Sequence, residues 1–364
     1  MGSAALYHLA ARGSRVVGVD RYAPPHALGS THGRSRIIRE AYYEHPSYVP
    51  LVQRAYANWA ALEERTGTPL FLRTGGLMMG APDCGLVRGA LESAALHGID
   101  VETLSADAIR LRFPAVAAEQ DMVGVFERNA GMLFPEACVR GYLDLAQTLG
   151  AEARRGTTVV GLSRVNDVIT AETADGPIRA RRLILTAGPW NAELLGMLGA
   201  RAPLVVERQT MHWFDPLRDR ALLSPERLPV ALIEHAENRF FYFMPDIGDG
   251  VKAAVHHEGE NATADTIDRD VHPADTDLPR ELLARFMPSA AGAIRESAVC
   301  LYTNTPDLDF ILDSLEGMPN VIFVSACSGH GFKFASAVGE IAAQLALGEA
   351  PSVDIAHFQG SRFA

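Results

Sequence analysis

The first twenty residues constrain the fold more than any other stretch of this chain. A helical run with apolar residues at core-facing spacing begins after Gly2 and stops at Gly13, and a short apolar strand then ends in Asp20. In a dinucleotide-binding unit, the last glycine of the Gly-rich turn lets helix and strand pack closely, and an acid about 20 residues further along binds the ribose hydroxyls. Gly2 and Asp20 have this separation, which indicates a nucleotide-binding fold. The alternative is an amphipathic helix followed by a surface acid.

The strand that should open such a unit, with the first two glycines of its turn, would precede Met1. That strand would lie in the middle of a parallel sheet, and burial of its apolar side chains would contribute on the order of 10 kcal/mol to the free energy of unfolding. We therefore expect the protein to start upstream, with Met1 inside the glycine-rich turn. A chain that begins at Met1 should be marginally stable or unfolded.

The order of helical and strand patterns along the chain indicates two domains. Helices and short strands alternate up to Gly150, and antiparallel strands dominate from Leu204 to Val255. A final strand, Val321–Ser325, then leads through a glycine-rich turn into a helix that ends at Leu347. Because the first pattern returns at the end of the chain, we expect a mixed α/β (α+β) fold of two interleaved domains.

Charge and hydropathy exclude several classes of partner. The chain has 33 Lys and Arg residues against 44 Asp and Glu residues and a net charge of -11, so nucleic acid and anionic membranes would be repelled. No apolar run approaches the roughly 20 residues that span a bilayer, and the N-terminus lacks the pattern of a cleavable leader. We expect a cytoplasmic protein whose partners are small molecules.

Cysteine and histidine spacing gives no sign of a disulfide framework or a metal site. The His256-His257 pair has no third ligand at useful spacing, so we expect no bound metal. No Cys-x-x-Cys pair is present, which argues against a structural zinc site. The four cysteines lie far apart, at Cys84, Cys138, Cys300 and Cys327.

Three segments combine polar side chains with glycine in ways that core packing does not require. Gly29–Arg39 brings three arginines close to glycines, Cys300–Asp307 opens with a cysteine between apolar residues, and Ser328–Phe334 lies between a strand and a helix. Their structural alternatives are a solvated basic loop, a buried inert thiol and an ordinary turn. The last segment is the hardest to explain that way, because Lys333 lies between two phenylalanines and needs either solvent or a buried anion.

These segments together resemble the family of monomeric sarcosine oxidase and N-methyl-L-tryptophan oxidase, flavoenzymes of the D-amino acid oxidase superfamily. The chain departs from the family at the absent first strand and at Phe243-Met244, which replaces a smaller pair beside the pocket. The resemblance covers nearly the whole chain and rests on Pro24–His26, Gly33–Arg39 with Ala41-Tyr42, Tyr48–Pro50, Thr74–Gly76, Gly188–Asn191, Cys300–Tyr302 with Asp309–Asp313, Ser328–Phe334 and Ser361–Phe363.

The resemblance implies how the two domains divide the chain. A Rossmann-like FAD-binding domain, with its N-terminal strand missing, would consist of residues 1–75, 137–205 and 296–364. An antiparallel-sheet substrate domain would consist of residues 76–136 and 206–295. It also implies a monomer.

The resemblance further implies FAD bound covalently, with the sulfur of Cys300 joined to the 8α-methyl carbon. Asp20 matches the acid that binds the adenosine ribose, and Val159 matches a backbone contact to the adenine. Arg36 would place a cation against the flavin ring, and Lys252 would lie beside the flavin and activate oxygen. The remaining cofactor contacts that it implies are Gly2, Ser30, His32, Gly188, Gly329, His330, Gly331 and Phe332.

For the substrate, the resemblance implies oxidation of an N-methyl or other secondary amino acid by O2. Arg39 and Lys333 would hold the carboxylate, and Tyr242 and His256 would surround the amine. Hydride transfer requires the neutral amine, and two nearby cations in an apolar pocket disfavour the ammonium form. The products would be H2O2, formaldehyde and the demethylated amino acid.

Three alternatives stay open from the sequence. The chain could be a related flavin dehydrogenase that uses another electron acceptor, although Lys252 and the absence of a basic membrane-binding helix argue against that. It could be a pipecolate-type oxidase, since the sequence does not decide among sarcosine, N-methyltryptophan and other secondary amines. It could also be a truncated, inactive flavoprotein.

Overall fold

A computed structural model describes residues 1–363. The helices are α1 (Gly2–Ala11), α2 (Tyr48–Thr66), α3 (Gly85–His97), α4 (Ala106–Arg112), α5 (Pro135–Thr148), α6 (Asn191–Met197), α7 (Pro273–Phe286) and α8 (Ala335–Leu347). The first ten strands are β1 (Val17–Asp20), β2 (Arg36–Ile38), β3 (Phe71–Arg73), β4 (Gly76–Gly80), β5 (Val101–Ser105), β6 (Val123–Glu127), β7 (Gly131–Leu133), β8 (Glu152–Arg155), β9 (Val159–Val165) and β10 (Val168–Thr173). The others are β11 (Ile178–Ala180), β12 (Leu183–Leu185), β13 (Val205–Phe214), β14 (Val230–Ala236), β15 (Arg239–Met244), β16 (Val251–His256), β17 (Asn261–Ala262), β18 (Ile294–Asn304), β19 (Ile311–Leu315) and β20 (Met318–Ser325).

The two ends of the chain form the predicted helix and strand units. The N-terminal run gives α1 followed by β1, and the C-terminal pattern gives β20, a turn and α8, which ends before Gly348. Helix α1 packs against both α5 and α8, and these helices bury the largest apolar core of the molecule. The predicted mixed α/β architecture is therefore confirmed.

Two small sheets contain parallel pairs of strands. Strand β1 pairs with β8 in parallel, and β12 pairs with β20 in parallel, with β19 antiparallel on the far side of β20. Among residues 1–363, no hydrogen-bonded ladder joins β1 to β12. Side chains of both sheets face the same large cavity.

Nine strands form one continuous sheet, which is antiparallel except for the parallel pair β14 and β4. Its order is β17-β13-β16-β15-β14-β4-β6-β5, and β18 adds to β13 along ten residue pairs. A second apolar core lies against this sheet, under α4 and α7. Strand β18 crosses residue 296, the boundary that the sequence predicts between the two domains, and the division at that residue stays a prediction.

A smaller three-stranded antiparallel sheet, β2-β7-β3, carries Arg36–Ile38. Within the described residues, none of the helices is long and apolar enough to cross a membrane.

Candidate active site

A single large cavity, of about 1410 Å³, gathers most of the predicted site residues. Strands of both the parallel and the antiparallel sheets line it, together with the turns that follow Gly29 and Ser328. Of the predicted residues, only His32 and Lys252 do not line it. Those that do are Gly2, Asp20, Ser30, Arg36, Arg39, Val159, Gly188, Tyr242, His256, Cys300, Gly329, His330, Gly331, Phe332 and Lys333.

The cavity volume is large enough for a ligand the size of a dinucleotide. Pockets for drug-sized molecules measure about 300–1,000 Å³, and this one is larger. A side chain at Gly331 would overlap the Ala326 carbonyl oxygen, so the turn after β20 keeps its backbone exposed to the cavity. On the cavity wall, the buried Ser325 Oγ has no hydrogen-bond partner within residues 1–363. An unpaired buried polar group is costly, and a polar ligand would satisfy it.

At the far end of the cavity, Asp20 terminates β1. Its Oδ1 accepts a hydrogen bond of 2.8 Å from the Tyr22 amide, which leaves the second carboxylate oxygen free of that contact. Val159 begins β9 and lines the same region. These positions are where the sequence predicts the adenosine contacts.

Near the other end, Cys300 and Arg36 lie against each other. Cys300 is buried on β18, and its Sγ is 3.8 Å from Arg36 Nη2. The guanidinium is fixed by the carbonyl oxygens of Ser30, at 3.1 Å, and of Ser35, at 2.8 Å. A permanent positive charge therefore lies beside the only predicted attachment point.

Lys252 supports this turn from behind the cavity wall. Its Nζ donates to the carbonyl oxygens of Gly33 and Ser35, both at 2.9 Å, and lies 5.4 Å from the centre of the Trp213 ring. Burial, and then the charge of Arg36, hold the pKa of Lys252 well below its usual value. Lys252 and Arg36 share the Ser35 carbonyl as acceptor, so the two cationic groups are neighbours.

Arg39 and Lys333 meet on the ring of Tyr42. The Arg39 guanidinium lies 4.3 Å from the ring centre and Lys333 Nζ lies 5.2 Å from it. Both side chains are buried. Burial, and then the charge of Arg39, lower the pKa of Lys333 to about 7. Two buried basic side chains beside the same ring form a site for an anion.

Glu44 occupies that site in the described structure. Its two carboxylate oxygens accept from Arg39 Nη2 at 3.0 and 2.8 Å. Burial alone would raise the pKa of Glu44, but the charges of Arg39 and its other basic neighbours, together with the Arg39 hydrogen bond, outweigh it and hold that pKa below its usual value. Sequence reasoning missed Glu44, although it stands only five residues beyond Arg39.

The backbone that carries Arg39 is anchored by a second acid that the sequence did not indicate. Glu127, at the end of β6, accepts from the amides of Glu40 and Ala41 at 2.8–2.9 Å. Burial raises the pKa of Glu127 to about 7, even though these amides lower it. Its partner Glu40 is 87 residues away, so only the tertiary fold reveals the contact.

Aromatic rings form the part of the cavity where the resemblance implies that the substrate amine binds. His256 Nδ1 lies 3.0 Å from the hydroxyl oxygen of Tyr302, and Tyr242 lines the cavity nearby. Burial holds the pKa of His256 well below its usual value, so this histidine is neutral at physiological pH. Burial also raises the pKa of Tyr242, which keeps that hydroxyl protonated. The wall therefore offers hydrogen bonds and no fixed charge.

Comparison with known proteins places this arrangement in a family. The family model described as FAD dependent oxidoreductase matches residues 1–345. The chain is 38% identical to a monomeric sarcosine oxidase of Streptomyces avermitilis, over all of this chain and 95% of that enzyme. It is 33% identical to an N-methyl-L-tryptophan oxidase of Citrobacter koseri, over all of this chain and 96% of that enzyme.

Solved structures share the fold. NikD, an unusual amino acid oxidase of nikkomycin biosynthesis, superposes with a TM-score of 0.86 at 23% identity and covers 98% of this chain and 94% of its own. An L-proline dehydrogenase from P. horikoshii also gives a TM-score of 0.86, at 19% identity, over 99% of this chain and 94% of its own. With the family model matching nearly the whole chain, the protein belongs to the FAD dependent oxidoreductase family.

Proposed function

We propose that the protein is an oxidase of N-methyl or other secondary amino acids that uses FAD and O2. The observation that carries this proposal is a buried pair of cations, Arg39 and Lys333, in the same cavity as Cys300 and Arg36. The first pair suits a carboxylate, and the second suits an electron-accepting ring that gains negative charge. The names of the sarcosine and N-methyltryptophan oxidases among the relatives support this choice.

The reaction moves two electrons from a C–H bond beside nitrogen to O2. When bound, FAD supplies the acceptor for a hydride from the N-methyl carbon and returns the two electrons to O2. With two protons, O2 leaves as H2O2. The substrate becomes an imine, and water hydrolyses it to formaldehyde and the demethylated amino acid.

Substrate binding is an exchange of carboxylates on Arg39. The incoming carboxylate takes the place of Glu44, and Lys333 completes the pair of charge-assisted hydrogen bonds. Because Glu44 already neutralises Arg39, the free enzyme avoids an uncompensated buried charge. The exchange also selects for substrates with a carboxylate, since a simple amine cannot replace the Glu44 carboxylate on Arg39.

The same charges prepare the amine for oxidation. Two cations close to the amine oppose a third positive charge, and the neutral rings of His256 and Tyr242 provide no anion to stabilise an ammonium. The amine therefore binds in its neutral form, with the lone pair that hydride transfer requires.

For the oxygen half of the reaction, Arg36 and Lys252 act as a pair. Arg36 carries a permanent charge, and Lys252 donates hydrogen bonds beside it. Negative charge that develops on O2 would raise the lowered pKa of Lys252 and draw a proton to its Nζ. We expect this pair to accelerate the reaction with O2 by stabilising that charge.

We further propose that Cys300 holds FAD covalently. The thioether bond would form with loss of the thiol proton and of one hydrogen from the 8α-methyl group, and O2 would take up the two electrons. The buried position of the thiol on the cavity wall, beside a fixed guanidinium, supports this assignment. We also expect the enzyme to be a monomer.

The decisive experiment is a substrate panel with two readouts. Purified yellow protein is mixed with sarcosine, N-methyl-L-tryptophan or pipecolate, and loss of visible absorption without air is compared with H2O2 and formaldehyde formed in air. Bleaching with H2O2 from any of the three supports the proposal, and formaldehyde identifies an N-methyl substrate. Bleaching without H2O2 would indicate a dehydrogenase, and no bleaching by any secondary amino acid would refute the proposed activity.

A further inference from the structure

We propose that His257 is a positioning residue for the substrate site, acting as a doubly protonated imidazole that ties the turn Ser328–Gly331 to Glu207. The proposal rests on the proposed function, because that turn leads into the substrate-binding Lys333. His257 directly follows β16, whose last residue, His256, lines the cavity.

Both ring nitrogens of His257 face oxygen atoms that accept hydrogen bonds. Nδ1 is 3.3 Å from Glu207 Oε2, and Nε2 is 3.1 Å from the carbonyl oxygen of Ser328. A neutral imidazole carries one N–H and could donate to only one of them, leaving two lone pairs opposed at the other. The imidazolium form satisfies both contacts at once, so the geometry favours it.

Glu207 is the acceptor that this arrangement needs. Burial raises its pKa, but hydrogen bonds from His257, the Gly259 amide and Asn304 outweigh burial and hold that pKa below its usual value. The Gly259 amide lies 2.9 Å from Glu207 Oε1, and Asn304 Nδ2 lies 2.6 Å from Oε2. An ionised carboxylate can only accept, which assigns the proton between the two side chains to His257 Nδ1.

The turn at the other end of the bridge has little freedom to move without disturbing the cavity. Ser328 and His257 both adopt left-handed backbone conformations, with φ values of 37° and 60°. A side chain at Gly329 would lie 2.6 Å from His256 and 2.7 Å from Tyr302. A displacement of the Ser328 carbonyl would therefore also move Gly329 relative to His256 and Tyr302, next to the proposed amine position.

The groups around His257 leave Glu207 as its one anionic partner among the described contacts. The His256 ring centre is 4.2 Å away and the Tyr302 ring centre 5.2 Å away, and neither ring is charged. His330, on the turn itself, is neutral because burial lowers its pKa to about 3. A neutral His257 would leave the buried Glu207 without this charge-assisted partner.

The test uses His257→Asn, Glu207→Gln and the double variant. Asparagine tolerates positive φ, so His257→Asn keeps the backbone conformation and removes the bridge. Each single variant should weaken the binding of N-acetylglycine, a carboxylate that cannot be oxidised, by about tenfold, because a misplaced Lys333 would lose its charge-assisted hydrogen bond to the ligand. The double variant should lose no more than either single one, because both changes break the same bridge. His272→Asn, which removes a surface histidine paired with Asp268, should bind N-acetylglycine as the wild type does.

Nitrogen-15 NMR of labelled histidines reads the protonation of His257 without any turnover. The signal that disappears in His257→Asn should be that of an imidazolium in the wild type. A neutral imidazole, or wild-type affinity for N-acetylglycine in His257→Asn, would overturn the proposal. If the wild type oxidises no secondary amino acid, the proposed function fails, while the NMR result still decides the state of His257.

Discussion

The two walls of the cavity are formed by different kinds of structure, a sheet on one side and turns on the other. One wall lies on the large mixed sheet, in which β16 and β18 both pair with β13; β18 supplies Cys300, and β16 holds Lys252 behind this wall. The other wall includes the segment after β2, which supplies Arg39 and Glu44, and the turn before α8, which supplies Lys333. We expect the sheet to hold groups that stay fixed beside the cofactor, and the turns to hold groups that exchange partners when substrate arrives.

Cys300→Ala gives the largest expected effect, because it would remove the proposed covalent link between the cofactor and the large sheet. Acid precipitation should leave the yellow colour with the wild-type protein and release it completely from Cys300→Ala. Cys327→Ala is the matched control, since its sulfur also lies in this cavity, 4.0 Å from Ser30 Oγ. Colour that washes out of the wild type would disprove the covalent link.

Lys252→Met tests the second fixed group of the sheet. Loss of one donor at a site of developing charge slows reactions by about 10²–10³-fold, and we expect a decrease of this size in flavin reoxidation by O2. Flavin reduction by substrate should change far less, and stopped-flow measurement separates the two half-reactions. A defect confined to the reductive half would place Lys252 on the substrate side instead.

Arg39→Met and Lys333→Met test the second wall, which is formed by turns. Loss of one charge-assisted contact costs roughly 1.5–3 kcal/mol, so each variant should bind carboxylate ligands about ten to over a hundredfold more weakly. Amines without a carboxylate should be nearly unaffected. The measurement is the dissociation constant of each ligand class, taken from its effect on the visible spectrum. Equal losses for both classes would mean that these residues do not form a carboxylate site.

Glu44→Gln should give the smallest change in ligand affinity, and this change should be an increase. The variant removes the anion that competes for Arg39, so N-acetylglycine should bind about fivefold more tightly, which corresponds to roughly 1 kcal/mol. Unchanged or weaker binding would show that Glu44 supports the site and does not occupy it. Glu40→Gln is the control, because this acid is a neighbour in sequence that does not contact Arg39 in the described structure.

The sequence predicts the two walls unequally. The separation of Gly2 and Asp20 is a local pattern, and the surroundings of Cys300 and Lys333 carry the family resemblance, so candidate cofactor and carboxylate residues could be named before the structure. Glu127 and the Glu207–His257 contact depend on which strands lie side by side, and residues 87 or 50 positions apart carry no local signal for this. Glu44 was missed for another reason: an acid near a predicted carboxylate site looks unfavourable until its pairing with Arg39 is seen.

The environment of Lys333 makes the capture of a carboxylate an event that takes up a proton. With its pKa lowered to about 7, much of this amine is uncharged at pH 8 in the free enzyme. A bound carboxylate stabilises the ammonium form, so each bound N-acetylglycine, which has no basic amine of its own, should draw a fraction of a proton from solvent onto Lys333. The affinity for N-acetylglycine should therefore decline as pH rises above about 7, and calorimetry in two buffers of different ionisation enthalpy would count the protons taken up.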